Sequence, residues 1–567
     1  MTETRDSAPS RRAERVPSRL DGRLPEIVLV IGLVLQLGLA LWFVRGMWFD
    51  LDAWGYLVEQ PAIPGVVDRL LDAHAGHWST ITYLWYQLLF AVVGMHSYWP
   101  YVLATVFLHL AICVVMWWLL VRLGCSRWLA TGTVWLIIFL GAGAQGFLWD
   151  AAMPPALSTL LGLLALAVVL TRGDRRSSRV VGAVLILLSV MTSGVGVAAG
   201  CLVGVYLALE GRIRTAVWVV GPSAVAFVVW YAVYGRGDAV PTAHWNYARL
   251  PEFVWTGLTS AFGQATAIPN AGALLLLGVV GTTVFAPRIP LQLRNFAIAG
   301  IVAAVLHMTL TGVARIGFGI ETASSSRYLY LVLVLAAPAI AGCLIAVAGL
   351  PLQVPPLVAV LAVGALLVAY TVTAIFQQQD FTGRQGGYGG VWKHWVAGTL
   401  AATAEGEKIL TPGPADPLAG GSDFRLLQSP RFEDAVPMSA RTAQARLDAE
   451  SEFFVGVGPD TYDLFQPADI TFTGGFVGDF KPGATCNTYP AVAFAPSLEL
   501  ALGEKGNEIG VRSDSTEVTT QVRRDGVLGR KRIWEVEPGD IHIASTAKDA
   551  DLLVTFNHGG DFTLCTN

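Results

Sequence analysis

The sequence predicts an α-helical domain that spans a membrane many times, followed by an all-β domain outside the membrane. The first observation behind this prediction is the composition: 54% of the 567 residues are hydrophobic and only 14% are charged. Soluble domains carry about 25% charged residues, so this apolar excess is typical of a multi-span membrane protein. The second observation is that long apolar runs stop near position 376, after which short alternating runs continue to the end.

Eleven apolar runs are candidate membrane spans, since a helix needs about 20 apolar residues to cross the hydrocarbon core. The first run, 27–44, has no small-residue cleavage site after it, so we interpret it as an uncleaved anchor. The runs 179–191 and 194–209 are short and are interrupted at 192–194, as in segments that lie within protein or line a cavity. The other runs are 99–121, 128–148, 155–171, 216–235, 270–287, 295–314, 327–348 and 356–376.

The arginines predict the orientation, because cytoplasmic loops of membrane proteins carry an excess of Lys and Arg. The tail at 1–24, which is predicted to be disordered, and alternate loops after it are rich in arginine. We therefore expect a multi-pass protein of the plasma membrane with its N-terminus in the cytoplasm. The acidic loop at 47–98 and the C-terminus are expected on the outer side of the membrane. If 78–95 were a membrane span, every later loop would lie on the opposite side and the arginine-rich loops would be outside. We therefore expect a helix at 78–95 that lies at the outer membrane interface.

Beyond the membrane domain at 25–376, we expect an amphipathic helix and connector at 377–430 and an extracytoplasmic β-domain at 431–567. Short alternating runs separated by Gly, Pro, Asn and Asp predict a sandwich-like all-β fold in the latter. Cys486 and Cys565 are the only cysteines in this part of the chain, and the predicted compartment is oxidising. We therefore predict a disulfide bond between them.

The acidic loop is the candidate functional centre, and Asp50 and Asp52 stand directly after the first span. Two carboxylates at i and i+2 point the same way only if the backbone is extended. Partial desolvation raises the pKa of one of them, so one can act as a general base while the other orients the reactant or holds a divalent metal. In the alternative interpretation, Asp50 caps a short helix that starts at Leu51, and Asp52 is solvated in its first turn.

Two histidines and two arginines are further candidates. His74 and His77 have a spacing common among metal ligands on a helix, but Gly76 argues against a helix and no further His or Cys completes a set. We expect them to form hydrogen bonds or to contact substrate. Arg315 and Arg327 flank another outer loop, and an arginine there can bind a phosphate through two hydrogen bonds or simply reach lipid headgroups.

Several classes of function are disfavoured. A net charge of −4 and the lack of a basic stripe outside the tail argue against a nucleic-acid partner. No Walker loop, GxSxG elbow, HExxH motif or Rossmann glycine pattern occurs in a fitting context, so direct use of a cytoplasmic nucleotide is not expected. A lipid or glycan transporter is an alternative, but no internal repeat of the span pattern is found in its favour.

Several features together resemble the GT-C superfamily of polytopic membrane glycosyltransferases, which includes protein O-mannosyltransferases and lipid A aminoarabinose transferases. They are the acidic cluster in the first outer loop, the predicted interfacial helix ending in LLFAVVGMHSYWPY, and the span closed by VRLG. The SRYLY stretch that opens a late span is similar as well. The resemblance covers roughly residues 25–376, and the additional outer β-domain resembles actinobacterial proteins of this type.

This resemblance implies a cell-envelope enzyme that moves a sugar from a polyprenyl-phosphate donor to a glycan or glycoprotein acceptor on the outer face of the membrane. One of the two aspartates would be the catalytic base, with a divalent cation (Mg²⁺ or Mn²⁺) left open. His74 and His77 would line the acceptor side, and Arg315 or Arg327 would hold the donor phosphate. The chain departs from the family in having Asp-x-Asp instead of adjacent acids and HAGHWS instead of a His-Pro-Pro element. The alternative is a catalytically inert, membrane-anchored scaffold that binds glycans.

Overall fold

The structure, a computed structural model of the chain, describes residues 21–565 with the exception of 237–243, 352–354, 412, 414–422, 461, 463–469, 477–485, 492–494 and 504–506. Most of the tail predicted to be disordered therefore lies outside the described residues. Within the described part, a helical region comes first and an all-β region follows it. The predicted fold class is confirmed.

The described part of the chain contains sixteen α-helices. They are α1 (Leu24–Phe43), α2 (Leu51–Trp54), α3 (Val66–Leu71), α4 (Thr80–Val93), α5 (Trp99–Arg122), α6 (Arg127–Ile138), α7 (Met153–Arg172), α8 (Arg176–Val190), α9 (Val195–Leu209), α10 (Ile213–Trp230), α11 (Leu250–Ala265), α12 (Gly272–Phe285), α13 (Leu291–Arg315), α14 (Ser326–Ala348), α15 (Pro356–Ala404) and α16 (Ala443–Phe453).

Seven helical segments in the described part are long and apolar enough, by length and composition, to cross a membrane, as expected of a multi-pass membrane protein. They include α1, α5, α7, α10, α13, α14 and α15. The other four predicted spans form the shorter helices α6, α8, α9 and α12, of 12 to 15 residues. A 15-residue helix is about 22 Å long, less than the ~30 Å hydrocarbon core. The orientation of the termini stays a prediction.

The interruption predicted at 192–194 separates α8 from α9, and both helices pack against α7. Ser158 and Ser189 exchange two hydrogen bonds of 2.8 Å, each hydroxyl donating to the other residue's carbonyl oxygen. Gly162 of α7 lies so close to α9 that an added Cβ would stand 2.6 Å from the Cβ of Ala199. Small side chains thus let these helices approach closely, as is usual for helices packed in membranes.

Helix α15 has 49 residues and continues beyond position 376, where the last predicted span ends. At about 74 Å it is more than twice as long as the hydrocarbon core is thick. Apolar side chains of its first half are exposed, including Leu357 and Leu366, whereas Trp392 and Trp395 of its second half are buried. The helix predicted after the last span is therefore a continuation of that span, and no proline interrupts it between 357 and 404.

The strands form a small hairpin in the helical region and two sheets at the end of the chain. The hairpin consists of β1 (Ala73–His74) and β2 (His77–Trp78). The sheet strands are β3 (Val455–Gly458), β4 (Ile470–Gly474), β5 (Cys486–Ala491), β6 (Ser497–Leu502), β7 (Asn507–Ser513), β8 (Glu517–Arg524), β9 (Val527–Leu528), β10 (Arg532–Glu535), β11 (Gly539–Ser545), β12 (Ala550–Phe556) and β13 (Gly560–Cys565).

The two antiparallel sheets share one apolar core, as in a β-sandwich. The first has the order β10-β8-β12-β6-β4, with β9 beside β8, and the second has the order β3-β11-β7-β13-β5. Leu498 and Leu500 of the first sheet and Ile509 of the second are fully buried in this core. Cys486 and Cys565 stand opposite each other on β5 and β13 and form the predicted disulfide bond.

A buried ion cluster ties the end of α15 to α16 and β8. Arg446 of α16 contacts Glu407 at 2.7 Å and Glu450 at 2.5 Å, and Arg524 of β8 contacts Glu450 at 2.9 Å. The side chains of both glutamates are fully buried. Removing either arginine would leave a buried carboxylate short of a partner, which is strongly unfavourable. The helical and β regions are thus joined by a charged, water-excluding contact.

Replacing both Cys486 and Cys565 by Ala is expected to lower the stability of the β-sandwich by about 2–4 kcal/mol, because the bond closes a long loop in the unfolded chain. The sequence separation of the two cysteines is 79 residues. Thermal unfolding of the purified protein in detergent, with and without a thiol reductant, measures this effect. Reductant should lower the Tm of the wild type and leave that of the double variant unchanged; equal Tm values for both proteins without reductant would contradict the prediction.

Candidate functional site

An ion pair between Asp52 and Arg327 connects two segments that are 275 residues apart in the chain. Asp52 lies in the first turn of α2 and Arg327 in the first turn of α14, with 3.4 Å between their nearest charged atoms. The side chains are 40% and 33% exposed, so both remain accessible from outside the fold. The Arg327 guanidinium also lies 5.7 Å from the ring centre of Trp149. A cation at a helix N-terminus is unfavourable by itself, and Asp52 offsets this.

Asp50 takes a different direction from Asp52. Its carbonyl oxygen accepts a 2.9 Å hydrogen bond from the Ala53 N–H, so α2 begins directly after it. Its carboxylate does not cap the helix: one oxygen accepts the indole N–H of Trp149 at 2.9 Å, and the other accepts the side-chain amide of Gln385. Asp50 is buried. Asp50 and Asp52 stand on either side of Leu51, the first residue of α2, so their side chains point in different directions. This arrangement agrees with the interpretation in which a short helix starts at Leu51.

A second buried carboxylate, that of Asp150, lies near Asp50. Its two oxygens accept the hydroxyl groups of Tyr86 and Tyr98, each at 2.9 Å. Burial raises the pKa of Asp50 to about 8, and the charge of Asp150 raises it further, whereas the Trp149 hydrogen bond acts in the opposite direction. Asp50 is therefore protonated at neutral pH and fully engaged with its neighbours, which suits a structural role.

The two histidines stand opposite each other on the β1–β2 hairpin instead of on a helix. The turn between them uses Ala75 and Gly76, whose φ angles of 52° and 78° are those of a tight hairpin turn. The ring of His74 packs against Tyr56, with 4.2 Å between the ring centres. Gly76 thus breaks the helix here, as the sequence indicated.

Arg315 faces the same hairpin and donates a long hydrogen bond of 3.5 Å to the carbonyl oxygen of Ala75. Burial lowers the pKa of His77 to about 4, the charge of Arg315 lowers it further, and Asp52 acts in the opposite direction. His77 is therefore neutral at physiological pH and can both donate and accept a hydrogen bond. The structure brings Asp52, Arg315, Arg327 and the histidine hairpin together, while Asp50 lies beneath them.

Three residues that hold the site in place were not singled out from the sequence. Trp149 and Gln385 fix Asp50, and the side-chain oxygen of Gln145 accepts the Arg327 backbone N–H at 3.4 Å and the Ser325 hydroxyl at 3.3 Å. Both glutamines stand in glycine-rich stretches, GAGAQG and GRQGG. A buried amide has to be hydrogen-bonded. A lone glutamine among small residues is therefore the signal from which Gln145 and Gln385 could have been predicted.

A divalent cation at this site stays an expectation. Among residues 21–565 outside the gaps given above, no group of three or more His, Cys, Asp or Glu side chains is placed to hold a metal ion. The partner of Asp52 is a guanidinium, which already supplies positive charge. The local charge balance therefore does not call for a metal.

Comparisons with known proteins give one structural similarity. No family model matches the chain, and no curated protein matches it. The chain is similar to the cryo-EM structure of the arabinofuranosyltransferase AftD from Mycobacteria, with 11% sequence identity and a TM-score of 0.40 over 95% of this chain. It spans 58% of the length of that protein. A TM-score of 0.40 does not establish a shared fold, so the comparisons do not decide the family.

Replacing Asp50 by Asn should remove a pH dependence of stability. The ordinary pKa of an aspartate is about 3.9, and that of Asp50 in the folded state is about 8. Between these pH values the unfolded state releases the proton while the folded state keeps it, so wild-type stability falls as the pH rises, by up to about 1.4 kcal/mol per unit. The Asn variant keeps the shape without this titration.

The Tm of wild type and Asp50→Asn is measured in detergent from pH 5 to pH 8. The Tm of the variant minus that of the wild type should increase with pH. The matched control is Asp68→Asn, which changes an exposed aspartate of the same loop and should track the wild type. Parallel curves for Asp50→Asn and wild type would show that Asp50 is ionised in the folded protein.

Proposed function

We propose that the protein is a cell-envelope glycosyltransferase that moves a sugar from a polyprenyl-phosphate donor to a hydroxyl group of a glycan or glycoprotein acceptor. The observation that supports this best is the accessible Asp52–Arg327 pair. A base and a phosphate-binding cation are the two groups that such a transfer needs. Membrane lipid surrounds the helical region, and neither a nucleotide nor a nucleic acid takes part.

In the proposed reaction, Asp52 accepts the proton of the acceptor hydroxyl as its oxygen forms a bond to the anomeric carbon of the donor sugar. The bond between that carbon and the phosphate oxygen breaks, and the electron pair leaves with the polyprenyl phosphate. Arg327 stabilises the charge that develops on the leaving phosphate, since guanidinium groups bind phosphate oxygens through paired N–H groups. Arg315 adds a second positive charge beside the hairpin.

Asp52 is a better base than Asp50 in this proposal. Asp50 is buried, and each of its oxygens already accepts a hydrogen bond from Trp149 or Gln385. Asp52 is partly exposed and has only a long contact of 3.4 Å with Arg327, so a substrate hydroxyl can reach it. His77, which is neutral, would line the acceptor side, where it can orient the hydroxyl. His74 supports the hairpin through its contact with Tyr56.

Asp52→Asn is expected to reduce transfer by a factor of about 10²–10⁴, the usual contribution of a general base. The variant should fold normally, because partly exposed ion pairs contribute only about 0–1 kcal/mol. Transfer is measured with purified protein in lipid nanodiscs, using radiolabelled polyprenyl-phosphate pentoses and hexoses and a cell-envelope glycan extract as acceptor. Asp68→Asn is the matched control and should keep full activity.

Arg327→Gln should raise KM for the lipid donor and lower kcat, because the guanidinium contacts the phosphate both before and during its departure.

Full transfer by Asp52→Asn would refute the role of Asp52 as base. Lack of transfer by the wild type with every donor, combined with glycan binding, would instead favour the inert scaffold.

A further inference from the structure

A cavity separate from the Asp52 site lies between the second half of α15, helix α16 and the segment that joins β9 to β10. Its volume is about 330 Å³, at the lower end of the ~300–1,000 Å³ typical of small-molecule sites. The lining residues are Gly387, Gly390, Val391, His394, Trp395, Asp448 and Arg530. None of them belongs to the Asp52 site.

The carboxylate of Asp448 is fixed at one wall of this cavity. One oxygen lies 2.8 Å from Nε2 of His394, and the other accepts the side-chain amide of Gln444 at 2.9 Å. Gln444 also donates to the carbonyl oxygen of Leu528 at 3.2 Å, which fixes the amide in turn. A carboxylate has about four acceptor positions, so Asp448 can accept further hydrogen bonds from a ligand while keeping both partners.

Hydrogen-bond donors stand beside this acceptor. The guanidinium of Arg530 lies 5.3 Å from the ring centre of Trp395. Trp395 is 1% exposed, and among the described residues its indole N–H has no hydrogen-bond partner. A buried N–H without a partner is unfavourable by about 1–3 kcal/mol and is uncommon in native proteins. Because this indole nitrogen is itself covered by protein, the charged donor that lines the cavity is Arg530.

The glycines of α15 shape the floor of the cavity. An added Cβ on Gly389 would collide with the backbone of Trp48 at 2.7 Å, and one on Gly386 would stand in a tight contact of 3.1 Å with the carbonyl oxygen of Gly46, so close packing accounts for these two. An added Cβ on Gly387 or Gly390 would meet nothing within 4 Å. Packing within the protein therefore does not account for the second pair, which leaves bare helix backbone open to a ligand.

We propose that this cavity binds a neutral sugar residue of a glycan. A phosphate would be repelled by Asp448 and a cation by Arg530, whereas a sugar hydroxyl can donate to the first and accept from the second. The apolar face of a sugar ring can pack on Val391 and the bare backbone of Gly387 and Gly390. Because the cavity shares no residue with the Asp52 site, this proposal does not depend on the proposed transfer.

The sharpest test fills the cavity without disturbing the fold. Gly390→Leu projects a side chain into the open space, and leucine favours the helix relative to glycine by nearly 1 kcal/mol. Gly383→Leu is the matched control, because it lies on the same helix, an added Cβ also meets nothing within 4 Å, and it is outside this cavity. Binding of linear tetrasaccharides of arabinose, mannose, galactose and galacturonate to the full-length protein in nanodiscs is measured by isothermal titration calorimetry.

We expect at least one of the neutral tetrasaccharides to bind wild type and Gly383→Leu equally. Gly390→Leu should weaken its binding by at least tenfold, as should Asp448→Asn and Arg530→Gln. Asp68→Asn, which changes an exposed aspartate outside both sites, should bind it as the wild type does. Failure of every neutral tetrasaccharide to bind, unchanged binding by Gly390→Leu, or tighter binding of tetragalacturonate than of tetragalactose would overturn the proposal.

Discussion

The hydrogen bonds of the Asp50 carboxyl group hold together three segments that are far apart in the chain. They join the loop after α1, the turn that carries Trp149, and the middle of α15 through Gln385. A buried carboxyl group without partners would be very unfavourable, so this arrangement fixes the relative positions of all three segments. The Arg327 guanidinium lies 5.7 Å from the ring centre of the same Trp149. The position of the Arg327 guanidinium, and hence its distance from Asp52, therefore depends on a residue that is itself shielded from solvent.

The second constraint is the continuity of α15. The same helix starts among exposed apolar residues, contacts Asp50 at Gln385 and ends at the buried ion cluster around Arg446. No proline interrupts α15, and its helical conformation is continuous from Pro356 to Ala404. The β-sandwich is thus connected to the Asp52 site by one continuous helix as well as by the ion cluster at the end of that helix.

The sequence predicted those features that depend on local composition. Apolar runs located the long helices, alternation located the sandwich, and Gly76 correctly argued against a helix at the two histidines. The paired cysteines were predictable because no other partner was present in that part of the chain. Except for the disulfide bond, which joins residues 79 positions apart, the physical cause lies within a short window of the sequence.

Long-range contacts and helix lengths were not predictable in the same way. The 12–15-residue helices look like spans because their packed faces are as apolar as lipid-facing ones, so hydropathy does not distinguish the two environments. The end of α15 was missed because the polar stretch after position 376 resembles a connector. Two of its glutamines, Gln378 and Gln385, are in fact buried partners of Gln36 and Asp50. Asp50 is buried and Asp52 is partly exposed because different residues surround them. The spacing of the two aspartates in the sequence does not reveal these surroundings.

Asp50 and Asp52 therefore differ in exposure although only one residue separates them. Asp50 is buried, accepts two hydrogen bonds and supports the Asp52 site from beneath. Asp52 has a long contact of 3.4 Å with Arg327 and remains accessible to a substrate. Nine residues separate Gln385, below the Asp52 site, from His394 in the second cavity, which is about 14 Å along α15. Under the two proposals a glycan chain of a few sugars could occupy the second cavity while its end reaches Asp52. A fixed distance along one helix would then select which hydroxyl group is presented to the base.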